Sequence, residues 1–253
     1  MTRILSLIGV VLVVGCGGPP DGPIEEYYDN GQLESKGTHK DGMMDGPYEI
    51  YYDNGQLEVK GTWKDGGLDG PYETYHDNGR FKVKETYLNG VRNGPYERYR
   101  ENGQLEVKTN FRDGIEDGPY EEYHENGQLL GRGTMKDGEF DGPFERYREN
   151  GRLSIKGTYK DGMTDGPWEE YYDNGQLEVK TTYKDGELDG PYESYYLDGQ
   201  LWYKRTYKDG ELDGPYEGYY GDGRLSEKGG TYKDGKECGE WFEMDKTVTY
   251  DPC

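Results

Sequence analysis

Residues Gln56-Leu57-Glu58-Val59-Lys60-Gly61-Thr62-Trp63-Lys64 alternate between polar and apolar, the period-two pattern of a strand with one covered face. Pro47-Tyr48-Glu49-Ile50-Tyr51-Tyr52, just before it, is rich in aromatic and β-branched side chains and predicts a first strand. Between the two, Asp53-Asn54-Gly55-Gln56 carries the dipeptide Asn-Gly, the strongest short hairpin signal. Asp65-Gly66-Gly67-Leu68-Asp69-Gly70 predicts a return loop, and Pro71 opens the next strand where a missing N–H is tolerated. The unit then recurs: Gly-Pro stands at 22, 46, 70, 94, 118, 142, 166, 190 and 214, nine copies spaced 24 residues apart. A period of that size predicts stacked supersecondary units, each touching only its neighbours. The fold expected is all-β: an elongated antiparallel sheet of tandem hairpins, a single-layer twisted ribbon. At two strands per copy it would advance roughly 10 Å per repeat and reach about 90 Å.

The turn decides the register. If Asn54-Gly55 is a two-residue type I′ turn, Glu49 faces Lys60 and Ile50 faces Val59. The same pairing of opposite charges then recurs as Glu25/Lys36, Glu73/Lys84, Glu97/Lys108, Glu121/Arg132, Glu145/Lys156, Glu169/Lys180, Glu193/Lys204 and Glu217/Lys228. Each pair is worth roughly 0.2–1 kcal/mol and mainly specifies register. In that geometry Tyr48, Leu57, Val59 and Trp63 share one face, and Glu49, Tyr51, Lys60 and Thr62 the other. The competing geometry is a three-residue loop with a bulge at Gly55, which would bring Tyr51 and Leu57 to one face and separate the charges. The Tyr51 position is tyrosine in all nine copies: Tyr27, Tyr51, Tyr75, Tyr99, Tyr123, Tyr147, Tyr171, Tyr195 and Tyr219. The flanking positions vary (Ile50, Thr74, Arg98, Glu122; Tyr52, His76, Arg100, His124), which reads as wet surface or as the place where partner specificity is written.

Composition agrees with strands and tight turns. The 253 residues include 42 Gly and 27 Tyr and no Ala, and only 31% are hydrophobic, which leaves little for a two-layer core. A net charge of −22 disfavours nucleic acid and anionic lipid as partners and suits the solubility of a highly exposed sheet. His39, His76 and His124 occupy positions filled elsewhere by Tyr, Arg or Trp, and no nucleophile is placed beside them, so the chain reads as non-enzymatic and free of cofactors. The carboxylate pairs Asp41/Asp45, Asp65/Asp69, Asp161/Asp165, Asp185/Asp189 and Asp209/Asp213 offer too few ligands for calcium, and Asp-Gly makes turns without a metal.

The two ends differ from the array. Met1-Thr2-Arg3, the apolar run from Ile4 to Val14, and Val13-Val14-Gly15-Cys16 look like a bacterial lipoprotein leader, with cleavage before Cys16 and lipid on its sulfur. Residues 16–20 would be a short tether, so the array starts close to the membrane. Gly17 rather than Asp after Cys16 leans toward the outer membrane, or the cell surface, of an exported protein. Nine repeats fill 21–238, and residues 239–253 predict a capping hairpin over the last strand edge. Cys238, in a position otherwise held by Asp or Asn, and the terminal Cys253 form a candidate disulfide in an exported chain.

The repeated motif resembles the MORN-repeat variant family: Lys64-Asp65-Gly66, Asp69-Gly70, Tyr72, Tyr75, Asn78-Gly79 and Phe81 carry it. The resemblance implies β-hairpins in an extended antiparallel sheet used as an interaction scaffold. Members of the variant type are often labelled YwqK-like antitoxins, a cytosolic role from which a lipobox departs. The expected function is therefore a lipid-anchored cell-envelope scaffold that binds a protein, a basic one given the acidity, through the Tyr51-type ladder as a monomeric rod. Binding of cell-wall glycan by the same tyrosines is the alternative.

Overall fold

The computed structural model describes residues 21–243 and 246–253; the expected leader, the expected lipid-bearing Cys16 and the expected tether lie outside them. The described chain forms one antiparallel sheet of 27 strands without a helix, in which each hairpin pairs with the next along the sequence from Gly22–Tyr27 to Lys246–Thr249. A typical copy holds a six-residue strand (Gly46–Tyr51), a turn and an eight-residue strand (Leu57–Lys64). A tight turn then leads to a short segment that in most copies is a separate two-residue strand, such as Met43–Met44.

The two turns are the reverse of the sequence expectation. The type I′ hairpin is at Asp65-Gly66, where φ is 50° and 80° and Lys64 pairs with Gly67. The Asx-Gly dipeptide recurs with positive φ at both residues in all nine copies, from Asp41-Gly42 to Asp234-Gly235. At Asn54-Gly55 only the glycine has positive φ (83°). There Gly55 N–H donates to the Tyr52 carbonyl and Tyr52 N–H to the Gln56 carbonyl, the three-residue loop with a glycine bulge. Asn54 serves instead as a side-chain cap, its Oδ1 accepting from Gln56 N–H at 2.9 Å.

The charge register nevertheless survives, because a second bulge compensates for the first. Tyr51 pairs with Leu57, then the register shifts by one residue at Glu58, and Ile50↔Val59 and Glu49↔Lys60 follow as the charge pattern predicts. The extra residue also reverses the alternation, so the Leu57 position lies across from Tyr51 and not with Tyr48. Its counterpart Phe81 accordingly packs on Tyr75 (4.8 Å) and Tyr99 (6.1 Å), with Lys84 over its ring. Eight of the nine expected charge pairs are in register, from Glu25↔Lys36 to Glu193↔Lys204. The ninth is not: Glu217 faces Gly229, because the ninth copy carries an additional glycine in Gly229-Gly230.

With one layer, little is buried on both sides. The buried apolar residues among those described are Val107, Met135, Trp168, Cys238 and Trp241. What replaces a core is a row of rings along the Tyr48 face, packed edge to face. Tyr48–Trp63–Tyr72–Tyr87 runs at 5.2–6.3 Å, and Phe144–Tyr159–Trp168–Tyr183 at 5.4–5.8 Å. The row ends on Trp241, fully buried, against Tyr232 and Tyr250, with its Nε1–H donating to the Thr231 carbonyl. Trp241 belongs to Lys236–Glu243, which pairs on its far side with Lys246–Thr249 to form the cap. That strand starts at Lys236, three residues before the predicted boundary at 239, because Asp234-Gly235 is one more type I′ turn joining it to the array. The Cys238–Cys253 disulfide fastens the terminus across it.

Candidate binding face

The face opposite the aromatic row collects the predicted tyrosine ladder. Strand alternation puts each Tyr51-type residue two positions beyond its Glu49-type residue, on the same side. All nine hydroxyls donate to those carboxylates: Tyr75 to Glu73 at 2.7 Å, Tyr99 to Glu97 at 2.6 Å, Tyr123 to Glu121 at 2.8 Å, Tyr171 to Glu169 and Tyr195 to Glu193 at 2.6 Å, and likewise Tyr27, Tyr51, Tyr147 and Tyr219. In the first eight copies each Lys60-type residue lies between two glutamates, as Lys36 pairs with Glu25 in its own hairpin and with Glu49 in the next. The result is a row of alternating acid and base across the sheet. Of the ion pairs formed, Lys36–Glu49 (2.7 Å), Arg132–Glu145 (2.6 Å) and Lys204–Glu217 (3.0 Å) join neighbouring repeats, and Lys108–Glu97 (3.6 Å) closes a hairpin.

These contacts fix the protonation of the ladder. Lys36 and then the Tyr51 hydroxyl hold the Glu49 carboxyl below its ordinary value; for Glu145 the Tyr147 hydroxyl leads and Arg132 adds to it. Burial, reinforced by the bonded carboxylate, pushes Tyr99, Tyr123, Tyr171 and Tyr195 up to about 12. At neutral pH the ladder is a fixed array of carboxylates, cations and neutral phenols. Beside it, three consecutive copies carry matching grooves of 270–320 Å³. Each is walled by prolines of adjoining repeats, such as Pro143 and Pro167, and by glutamates such as Glu145 and Glu169.

In the first eight copies the position after the ladder tyrosine is neither wet nor free. Its side chain donates to the main-chain carbonyl of the next copy's ladder tyrosine, at 2.6–3.2 Å. Tyr28, Tyr52, Tyr172 and Tyr196 use a hydroxyl, His76 and His124 use Nε2, and Arg100 and Arg148 use Nη2. A carbonyl partner requires both histidines to carry the proton on Nε2. The position accepts Tyr, His and Arg because all three place a donor at the end of a long side chain. That restriction was visible among the copies. The Asn54 position adds a second bridge in the same direction: Asn54, Asn78, Asn126 and Asn174 each donate Nδ2 to the backbone carbonyl 23 residues on. The Asp45-type carboxylates receive the N–H of the following turn, Asp161 N–H to Asp141 at 3.4 Å and Asp185 N–H to Asp165 at 3.3 Å. The paired acids therefore stitch repeats together, and no group of three or more His, Cys, Asp or Glu fit to hold a metal occurs among the described residues.

The eighth copy departs from the others. Leu197 stands where seven other copies have an acid and Trp202 where four do; they are 63% and 47% exposed, and Trp202 lies against Tyr196 and Tyr203. Only comparison of the copies, position by position, could have picked them out.

The pattern of the MORN repeat variant matches residues 20–41, 44–65, 68–89, 92–113, 116–137, 140–161, 164–185 and 188–209. No protein with a curated description matches the chain. Among solved structures, a chain in the crystal structure of TcdB2-TccC3-Cdc42 aligns with a TM-score of 0.19 and 12% identity, over 83% of this chain and 14% of that one. The present chain thus spans a small part of that protein's length. Eight tandem matches over most of the sequence, on a sheet of hairpins, establish that the chain belongs to the MORN repeat variant family.

Proposed function

We propose that this MORN repeat scaffold is an exported, lipid-anchored, non-enzymatic protein of the cell envelope, held at the membrane through Cys16, that binds a basic protein partner along the tyrosine–carboxylate–lysine ladder. The observation that carries the binding reading is the recurrence, in three consecutive repeats, of the same groove between the same prolines and glutamates. A regular row of weak subsites favours a partner that engages several at once, where avidity multiplies modest affinities. The net charge of −22 attracts cationic segments and repels nucleic acid. The leader sequence, Cys16 and the Cys238–Cys253 bond all suit an oxidising compartment outside the cytosol.

The test is retention of envelope proteins on the immobilised chain beginning at Gly17, with elution by salt. The variant for comparison has Glu97, Glu121, Glu145 and Glu169 changed to Gln. A salt-eluted protein lost by the variant is the expected result; equal retention by the variant would remove the ladder from the proposal. Anchoring is tested by labelled fatty acid in whole cells, where Cys16→Ser should abolish incorporation. The exposed Trp202 beside Tyr196 favours a second reading, glycan binding by ring stacking. It predicts salt-resistant retention on purified cell wall, lost in Trp202→Ala.

A further inference from the structure

On the aromatic face, opposite the ladder, the fourth copy contains a closed ionic clamp. Glu106 is the bulged residue between Leu105 and Val107, which directs its side chain toward Arg98 and Arg100. Arg98 Nε contacts Glu106 Oε2 at 2.8 Å and Arg100 Nη1 contacts Oε1 at 3.1 Å, so each carboxylate oxygen has its own guanidinium. Arg100 is further held by its Nη2 bond to the Tyr123 carbonyl at 2.8 Å.

The sixth copy repeats every part of this clamp except the carboxylate. Arg146 and Arg148 stand in place of Arg98 and Arg100, and Arg148 Nη2 donates to the Tyr171 carbonyl at 2.6 Å. The bulge residue is Ser154, whose hydroxyl turns back to the Arg146 carbonyl at 3.0 Å. Arg146 makes no ion pair among the described residues. Arg148 Nη1 rests on Asp173, a carboxylate 84% exposed and free to leave. Of the neighbouring acids, Glu170 accepts from Trp168 Nε1 as Glu122 accepts from the Tyr120 hydroxyl, whereas Glu178, on the rim of the space, stands where the fourth copy's site has Leu130. The space left is a cavity of about 380 Å³ lined by His124, Arg146, Arg148, Ser154, Glu170 and Glu178 among others.

We propose that Arg146 and Arg148 form a binding site for a single carboxylate supplied by a partner polypeptide, in the position that Glu106 fills internally two repeats earlier. Arg148 is held in place by its carbonyl bond, and two adjacent guanidiniums are suited to a carboxylate, one oxygen each. The surrounding acidity selects the context of that carboxylate: an aspartate or glutamate in an otherwise neutral or basic segment enters, and an acidic tract is repelled. The site lies on the other face from the ladder and does not depend on it.

The test uses the chain from Gly17 and the probe acetyl-Gly-Glu-Gly-amide, with its Gln counterpart and inorganic phosphate as separate arms, followed through the arginine Nε–Hε resonances. Saturable shifts of Arg146 and Arg148 with the Glu probe, and none with the Gln probe, are expected. Ser154→Glu should close the site as Glu106 does, weakening the probe at least tenfold with an unchanged or higher melting temperature. Glu106→Ser should open a second site, raising the stoichiometry from one to two. Undiminished binding to Ser154→Glu, a stoichiometry of one in Glu106→Ser, or no saturable shift in the parent chain would each overturn the proposal. Shifts with phosphate alone would overturn the carboxylate assignment.

Discussion

Gly157 lies beneath the indole of Trp168, and a β-carbon added there would stand 2.0 Å from Cε3, 2.6 Å from Cζ3 and 2.9 Å from Cδ2. No rotation of a planar ring relieves three such contacts, so Gly157→Ala must expel Trp168 from a place where it is only 8% exposed. Expulsion breaks the edge-to-face contacts with Tyr159 and Tyr183, both at 5.8 Å, and the Nε1 bond to Glu170 at 3.0 Å. Two ring pairs at about 0.5–1.5 kcal/mol each and a hydrogen bond of about 1 kcal/mol are partly offset by the ~0.5–1 kcal/mol that alanine gains over glycine in a strand. The net loss expected is about 2–3 kcal/mol, which at a urea m-value of about 2.5 kcal/mol/M moves the midpoint by roughly 1 M. The array supplies its own controls. At Gly131 the nearest atom to an added β-carbon is the Glu145 carbonyl oxygen at 3.4 Å, an ordinary contact, and Gly131→Ala should be neutral or stabilising by up to about 1 kcal/mol. Thr109 and Thr181 occupy the Gly157 position in copies where tyrosine, not tryptophan, follows at the Trp168 position. Trp168→Tyr should therefore rescue Gly157→Ala, with a favourable coupling above about 1 kcal/mol in the double-mutant cycle. Equilibrium urea unfolding, with hydrogen exchange to place the loss in the sixth and seventh copies, measures both. A Gly157→Ala midpoint equal to the parent's, or strict additivity in the double variant, would show that the indole is not displaced by the added methyl group.

The donors that bridge repeats give a second expectation: Tyr52→Phe, Tyr172→Phe and Tyr196→Phe together should cost about 3 kcal/mol, one hydrogen bond per interface, and speed amide exchange in the copy that follows each one. Unchanged exchange there would assign the bridges no role. Stability should fall on both sides of neutrality. Carboxyls held low in the fold, such as Glu49 and Glu145, contribute above their ordinary value near 4.5 and lose that contribution as pH falls through the lower folded value. Ladder phenols raised to about 12, such as Tyr99 and Tyr195, contribute below pH 10 and lose it between pH 10 and 12; absorbance at 295 nm should show them ionising well above pH 10. Reduction of Cys238–Cys253 closes off a constraint worth about 3 kcal/mol and should loosen the cap before the array, with Trp241 fluorescence changing first. A cap that melts together with the central repeats after reduction would contradict this.

The parts of the fold legible in the sequence were those set by local pattern. Alternation located the strands, the Gly-Pro period located the repeats, and opposite charges at Glu49 and Lys60 located the register. The turn chemistry misled because Asn-Gly and Asp-Gly both permit positive φ, and only the three-dimensional chain shows that Asn54 caps while Asp65 turns. The bulge at Glu58 hid for a related reason: two one-residue offsets cancel in the charge register, and they show only in the face on which Leu57 falls. Of the candidate face, the tyrosines were evident as an invariant position. Their bonds to glutamate follow from two-residue spacing on one side of a strand. The bridging role of Tyr52, His76 and Arg100 could not be read locally, since each acceptor is a backbone atom 23 residues away that carries no sequence signature.

The fixed offset of 23 residues between each bridging donor and its acceptor makes the sheet behave like a graduated rule. Copies one to eight present a donor forward and copies two to nine a carbonyl backward, so a whole 24-residue unit can be duplicated or deleted within the array and the new neighbours still fit. A fractional insertion cannot be accommodated in the same way. The one extra glycine at Gly229-Gly230 displaces the charge register, and it is there that the pattern gives way to the tryptophan cap and its disulfide. Reach can thus be set in evolution by counting copies, with no redesign of any interface, and a single-residue slip is enough to write the end of the rule.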